Sequence, residues 1–107
     1  MLTLARAVSA LFLVCAASIA LAQDGKPQAG RALAETNCAT CHAIGASGSS
    51  PLLPAPAFRD LHRRYPIDHP GEALAEGIGA GHAKMPEFQL DPTQIADFLA
   101  YLKTLQP

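Results

Sequence analysis

The sequence predicts a small all-α domain, and three observations carry that expectation. The segment from 92 to 105 places Ile95, Phe98, Leu99, Leu102 and Leu105 on one stripe of a helix, with Thr93, Gln94, Asp97 and Lys103 elsewhere. No segment sustains the period-two alternation of Val, Ile and Thr that marks a strand. Residues 45–57 hold three prolines and two glycines, which excludes regular helix or ladder there.

The elements follow in order along the chain. Arg6 is followed by sixteen residues, Ala7 to Ala22, without a charge. That run ends in Ala20-Leu21-Ala22, the small-x-small pattern of a signal peptidase site, so residues 1–22 read as a cleaved secretory signal helix. Sixteen residues fall short of the ~20 that a spanning helix needs, so a retained membrane anchor is the weaker alternative. Cys15 follows large residues, unlike a lipid-attachment cysteine, and reads as one more apolar residue of the signal.

Residues 23–107 then form one domain. They carry seven Lys+Arg and nine Asp+Glu, a formal charge of −2, and no basic stripe of the kind that nucleic acid requires. Domains this small often need a metal, a cofactor or disulfides for stability. Only two cysteines remain after residue 22, and both sit in one short motif, so the expected helper is a cofactor.

Pro27 suits a first helical turn, and Ala29, Ala32, Leu33 and Thr36 recur at helical spacing, which predicts a helix over 27–37. Leu52 and Leu53 make the 45–57 stretch a loop packed on something apolar rather than a flexible linker. Phe58, Leu61 and Tyr65 mark a short helix stopped by Pro66. A second short helix is expected from about Gly71 to Glu76, with Ala73 and Leu74 inward. Gly77, Gly79 and Gly81 suit a loop in which backbone approaches something closely. Asp91 as N-cap and Pro92 as first residue open the last helix.

The chemistry lies in Cys38-Ala39-Thr40-Cys41-His42. This C-x-x-C-H sequence reads as a site for covalent attachment of haem c. Two thiols three positions apart lie about one helical turn from each other and can form thioethers with two neighbouring vinyl groups. His42 is then placed to ligate the iron axially. A thioredoxin-like dithiol would need a βαβ context, and a zinc site a second ligand pair; the chain offers neither. A plain disulfide would leave His42 without a role.

Met85 is the only methionine after residue 22, and it lies in a loop between glycines and Pro86, a poor place for core filler. It is the candidate sixth ligand, and a thioether opposite His raises the reduction potential. His82 is the rival ligand. His62 and His69 lie beside charged residues or proline and read as surface groups.

These motifs together make residues 27–107 resemble the class I cytochrome c family in its small bacterial branch. The specific combination is C-x-x-C-H near the N-terminus, a proline-rich loop, Gly-His-x-x-Met-Pro over 81–86, and a final amphipathic helix. The resemblance implies a cytochrome c fold, with three to five helices around one covalently bound haem and the N- and C-terminal helices crossing. Gly30 matches the position where a glycine lets those helices approach, with Phe98, Tyr101 and Leu102 opposite. Family members often carry an aromatic four residues before the first cysteine; here that residue is Ala34, and Leu33 is the candidate to fill the space. The family supports the histidine with a proline carbonyl from the following loop, which leaves Pro51, Pro54 and Pro56 as candidates. Leu53, Phe58, Leu61, Ile78, Phe88 and Leu99 are expected to line the haem.

The function so implied is electron transfer by a periplasmic monohaem carrier, not an enzyme, cycling Fe(III)/Fe(II) with His42 and Met85 as iron ligands. Its partners would be redox proteins, with membrane association only if the signal segment is retained, as a monomer or as the haem subunit of a larger oxidase or dehydrogenase. A haem enzyme or gas sensor with an open iron site is the remaining alternative. The scarcity of lysine predicts weak electrostatic steering and a small, partly apolar docking contact. Cleavage after Ala22 predicts that the exported protein begins at Gln23; an intact mass that includes residues 1–22 would establish a retained anchor instead.

Overall fold

The structure, a computed structural model, describes residues 24–76 and 85–107. The expected signal segment and the glycine loop with Ile78 and His82 lie outside the described residues. Among the described residues there are three α-helices and one 3₁₀ helix, and no strand. These are α1 (Pro27–Asn37), the 3₁₀ helix (Phe58–Arg63), α2 (His69–Glu76) and α3 (Pro92–Leu105).

The α3 helix is opened by reciprocal hydrogen bonds. The Gln94 N–H donates to Asp91 Oδ1 at 2.8 Å, and the Asp91 N–H donates to Gln94 Oε1 at 3.1 Å. Such a capping box satisfies two of the backbone donors that a helix start leaves unpaired. Pro92 follows with φ already set for the first turn. Phe98, Tyr101 and Leu102 are the buried residues of α3, while Ile95 and Leu99 flank Gly71 of α2.

Helix α1 buries only its small residues, Gly30 and Ala34, spaced one turn apart. A methyl group on Gly30 would run into the Asp97 carbonyl and meet Tyr101 Cβ at 2.8 Å. The backbones of α1 and α3 therefore touch at Gly30, as the family resemblance implies. A second close approach lies just upstream, where a Cβ on Gly25 would collide with the Ala96 carbonyl. The Lys26 N–H donates to Asp97 Oδ1 at 2.7 Å and pins the start of α1 to the same turn of α3. Ala34 is fully buried against Phe98, Tyr101 and Leu102 in one core with Phe58 and Leu61. The Tyr101 hydroxyl donates to the Ile44 carbonyl at 2.6 Å and ties α3 to the loop after the C-x-x-C-H motif.

The segment expected as a short helix at Phe58–Tyr65 is a 3₁₀ turn, Phe58–Arg63. It is held by the end of α3. The Gln106 side-chain amide donates to the carbonyls of Phe58 and Leu102 at 3.0 and 2.9 Å, while its oxygen accepts from His62 Nδ1 at 2.8 Å. Helix α2 begins at His69, two residues before the expected start. Pro70 sits in its first turn, where a missing N–H is harmless. The 45–57 loop is tied down: the Leu52 N–H donates to Cys41 O at 3.1 Å and the Ala43 N–H to Ser50 Oγ at 3.0 Å. Gly48 supplies its turn with φ at +91°.

The contact at Gly30 generates a paired prediction. Gly30→Ala should cost about 1–3 kcal/mol in urea unfolding, because backbone on both sides blocks the methyl group. Gly45→Ala meets nothing within 4 Å and should change stability by about 0.5 kcal/mol or less.

Candidate haem c site

The end of α1 leads directly into the motif. The Cys38 N–H still donates to Ala34 O at 2.8 Å, and His42 N–H donates back to Cys38 O at 2.9 Å. One further turn of chain thus carries Cys38, Cys41 and His42 to the wall of a single cavity. Both thiols are free, without a disulfide between them. Burial, reinforced by the neighbouring Cys41, pushes the Cys38 thiol up to about 11. A redox-active dithiol needs the opposite shift, toward a stabilised thiolate.

His42 is oriented by two contacts. Its Nδ1 lies 2.7 Å from the Pro56 carbonyl oxygen. A carbonyl can only accept, so Nδ1 carries the proton and Nε2 keeps its lone pair for a metal. Of the three candidate prolines, Pro56 is therefore the one that supports His42. The Phe58 ring lies 5.1 Å from the imidazole and meets Phe98 edge-on at 5.7 Å. Phe58 is fixed in turn by its own N–H, which donates to Ala43 O at 2.9 Å.

The cavity has a volume of about 430 Å³ and an almost wholly apolar lining. That volume lies within the ~300–1,000 Å³ of small-molecule and cofactor sites. Met85 lines it, as do Phe58, Leu61 and Phe88 from the expected set. Two expectations fail. Leu53 is 92% exposed, and its neighbour Leu52 faces the cavity in its place. The turn closed by Ala55 N–H on Leu52 O, between Pro51 and Pro54, settles which leucine turns inward. Leu99 is not among the lining residues and packs beside Gly71 instead. Leu33 lines the cavity while Ala34 supplies the helix contact.

Ala73 and Leu74, expected to face inward, line the cavity too, whereas Asn37 and Leu90 carried no signal in the sequence. Tyr65 and His69 also border the cavity, though both are exposed. Helical periodicity placed Leu74 on an inward face, but nothing local says which space that face meets.

The fit to a covalent haem rests on this donor set: two free thiols one turn apart, an imidazole with its Nε2 free, and a thioether, all bordering one apolar space. Among the described residues, no cluster of three or more His, Cys, Asp and Glu side chains could hold a bare metal ion. The cytochrome c family model matches residues 27–106. The chain belongs to the cytochrome c family. It is similar to a cytochrome c-553-like protein of Synechocystis, 34% identical over 79% of this chain and 74% of that one. It is also similar to cytochrome c-552 of Bradyrhizobium diazoefficiens, 34% identical over 91% of this chain and 89% of that one. No solved structure matches the chain.

The protein is a small class I c-type cytochrome with an all-α fold. Membership implies covalently bound haem c and electron transfer, and Cys38 and Cys41 stand in the matching C-x-x-C-H motif. Phe58 bridges His42 and Phe98, so Phe58→Ala should destabilise the protein by about 3–5 kcal/mol in denaturant unfolding. Pro56→Ala should leave the imidazole bond in place, because its acceptor is backbone.

Proposed function

We propose that this cytochrome c is a periplasmic electron carrier with one haem, bound through Cys38 and Cys41 and ligated by His42 and Met85. The haem supplies a one-electron ferric/ferrous couple. The chain's own residues do the rest. The Pro56 carbonyl holds the proton on His42 Nδ1, presents Nε2 as donor and raises its basicity. Met85 offers a neutral, soft sulfur that favours the reduced state. The apolar walls exclude water, which keeps the potential up. With His42 and Met85 both held by the iron, no substrate would reach the metal and little reorganisation would accompany electron transfer.

The observation that carries this reading is that His42 and Met85 border the same apolar cavity. The Met85 segment is held there by α2: the Leu90 N–H donates to Leu74 O at 3.0 Å, and Gln89 Nε2 reaches Ala75 O at 3.4 Å. Residues 1–22 serve as the export signal in this reading, and donor and acceptor are redox proteins. No helix among the described residues is long and apolar enough to cross a membrane.

The visible spectrum tests the ligand pair. Ferric wild type should show the weak sulfur-to-iron band at the red edge, and Met85→Ala should abolish it. The variant should also lower the potential by about 0.1 V or more, inside the ~0.8 V that axial ligands span. Ferrous wild type should resist carbon monoxide at neutral pH, while Met85→Ala takes it up. A band that survives in the variant rejects Met85, and ready uptake by wild type supports an open-site enzyme or sensor.

A further inference from the structure

No motif in the sequence singles out Gln106, yet every hydrogen-bonding position of its side chain is used. The amide nitrogen donates to the carbonyls of Phe58 at 3.0 Å and Leu102 at 2.9 Å, which takes both of its hydrogens. The amide oxygen accepts from His62 Nδ1 at 2.8 Å and from the His62 backbone N–H at 3.3 Å. A backbone N–H can only donate and a carbonyl can only accept, so the surroundings allow one orientation of this amide. The residue is half-buried, where such bonds are partly sheltered from water.

Of these partners, Phe58 leads to the cavity. It is 4% exposed, and its ring lies 5.1 Å from the His42 imidazole at a tilt of 44°. Phe98 backs that ring edge-on at 5.7 Å. The Phe58 N–H donates to Ala43 O at 2.9 Å, so its backbone is tied on one side to the residue after His42 and on the other to Gln106. Pro56, whose carbonyl takes the Nδ1 proton of His42, lies two residues upstream of Phe58. The carbonyl fixes where Nδ1 points. The Phe58 ring packs against the imidazole and limits its rotation about that bond.

We propose that Gln106 is a positioning residue for the axial histidine. By anchoring the Phe58 carbonyl to the end of α3, it sets the plane of the His42 imidazole. The proposal rests on the haem reading above, with His42 as an iron ligand.

The plane matters because groups that orient a ligating histidine tune the metal it holds. In a low-spin ferric haem, the direction of the imidazole plane decides how the unpaired electron is shared among the four pyrroles. The edge of the haem with most spin density is thereby chosen. A glutamine that never touches the cavity would act on the electron carrier through the one aromatic ring between them.

Proton NMR of the ferric protein reads that plane, because each ring methyl of the haem is shifted according to the spin density on its pyrrole. Spectra are taken on protein whose covalent haem is confirmed on a denaturing gel. Gln106→Glu keeps the side-chain length and the acceptor for His62 but loses both donors, and it should change the order and spread of the methyl resonances. Gln106→Met, similar in length and uncharged, makes none of these bonds and should give the same change, which separates lost donors from added charge. His62→Ala keeps the bond to Phe58 and should leave the wild-type pattern. Asp91→Ala removes the cap at the other end of α3, and should lower the urea midpoint without moving the pattern. A wild-type pattern in both Gln106 variants would overturn the proposal. An equal change in Asp91→Ala would overturn it too, because general loosening of α3 would explain the effect. An equal change in His62→Ala would trace the effect to the 3₁₀ turn and reject the route through Phe58. Wild type without covalent haem would overturn the haem reading, and this proposal with it.

Discussion

The close approach of α1 and α3 at Gly30 is the constraint on which the rest of this structure depends. With no side chain between the Gly30 backbone and the Asp97 carbonyl, the two helices meet backbone to backbone. Asp97 adds a second tie, accepting the Lys26 N–H at the start of α1. A helix fixed at its start and middle has a fixed end, and α1 ends at Asn37 with Cys38 as its C-cap. The position of the cysteine motif is thus decided two turns upstream, by the absence of a methyl group. Small residues on α1 and large ones on α3 divide the work: Gly30 and Ala34 permit the approach, while Phe98, Tyr101 and Leu102 fill the core.

From that crossing the support for His42 runs through two neighbouring layers. One is polar: the Pro56 carbonyl sets the imidazole tautomer. The other is aromatic: Phe58 lies against the ring and Phe98 against Phe58. Both Pro56 and Phe58 belong to chain that leads into the 3₁₀ helix, and Phe98 belongs to α3. The histidine is therefore held from two elements distant in sequence, which is how a single loop residue acquires a defined orientation in a domain with a thin core.

Much of this was legible in the sequence. The bounds of α1 and α3 follow from Pro27, Asp91 and Pro92, and the C-x-x-C-H motif states its own chemistry through spacing. The weaker readings fail for local reasons. Helix α2 starts earlier than expected because Pro70, which looks like a breaker, is tolerated in a first turn. Leu52 and Leu53 are adjacent and equally apolar, so only the turn geometry between Pro51 and Pro54 decides which faces the cavity. Three prolines compete as the carbonyl partner of His42, and the sequence cannot rank backbone oxygens by their distance to a ring nitrogen. The near-balanced count of charges also hides their placement, which emerges only when Arg31 finds Glu35 and Lys103 finds Asp68.

The Gln106 amide has a consequence for how the chain can be handled. Its oxygen accepts from His62, and its nitrogen donates to Phe58 and Leu102, so one side chain at the tail joins α3 to the 3₁₀ helix. Each such bond contributes on the order of 1 kcal/mol. Proteolytic trimming of the last two residues would release all of them at once and loosen the segment that carries Phe58. An affinity tag placed after Pro107, which is exposed, leaves the joint whole.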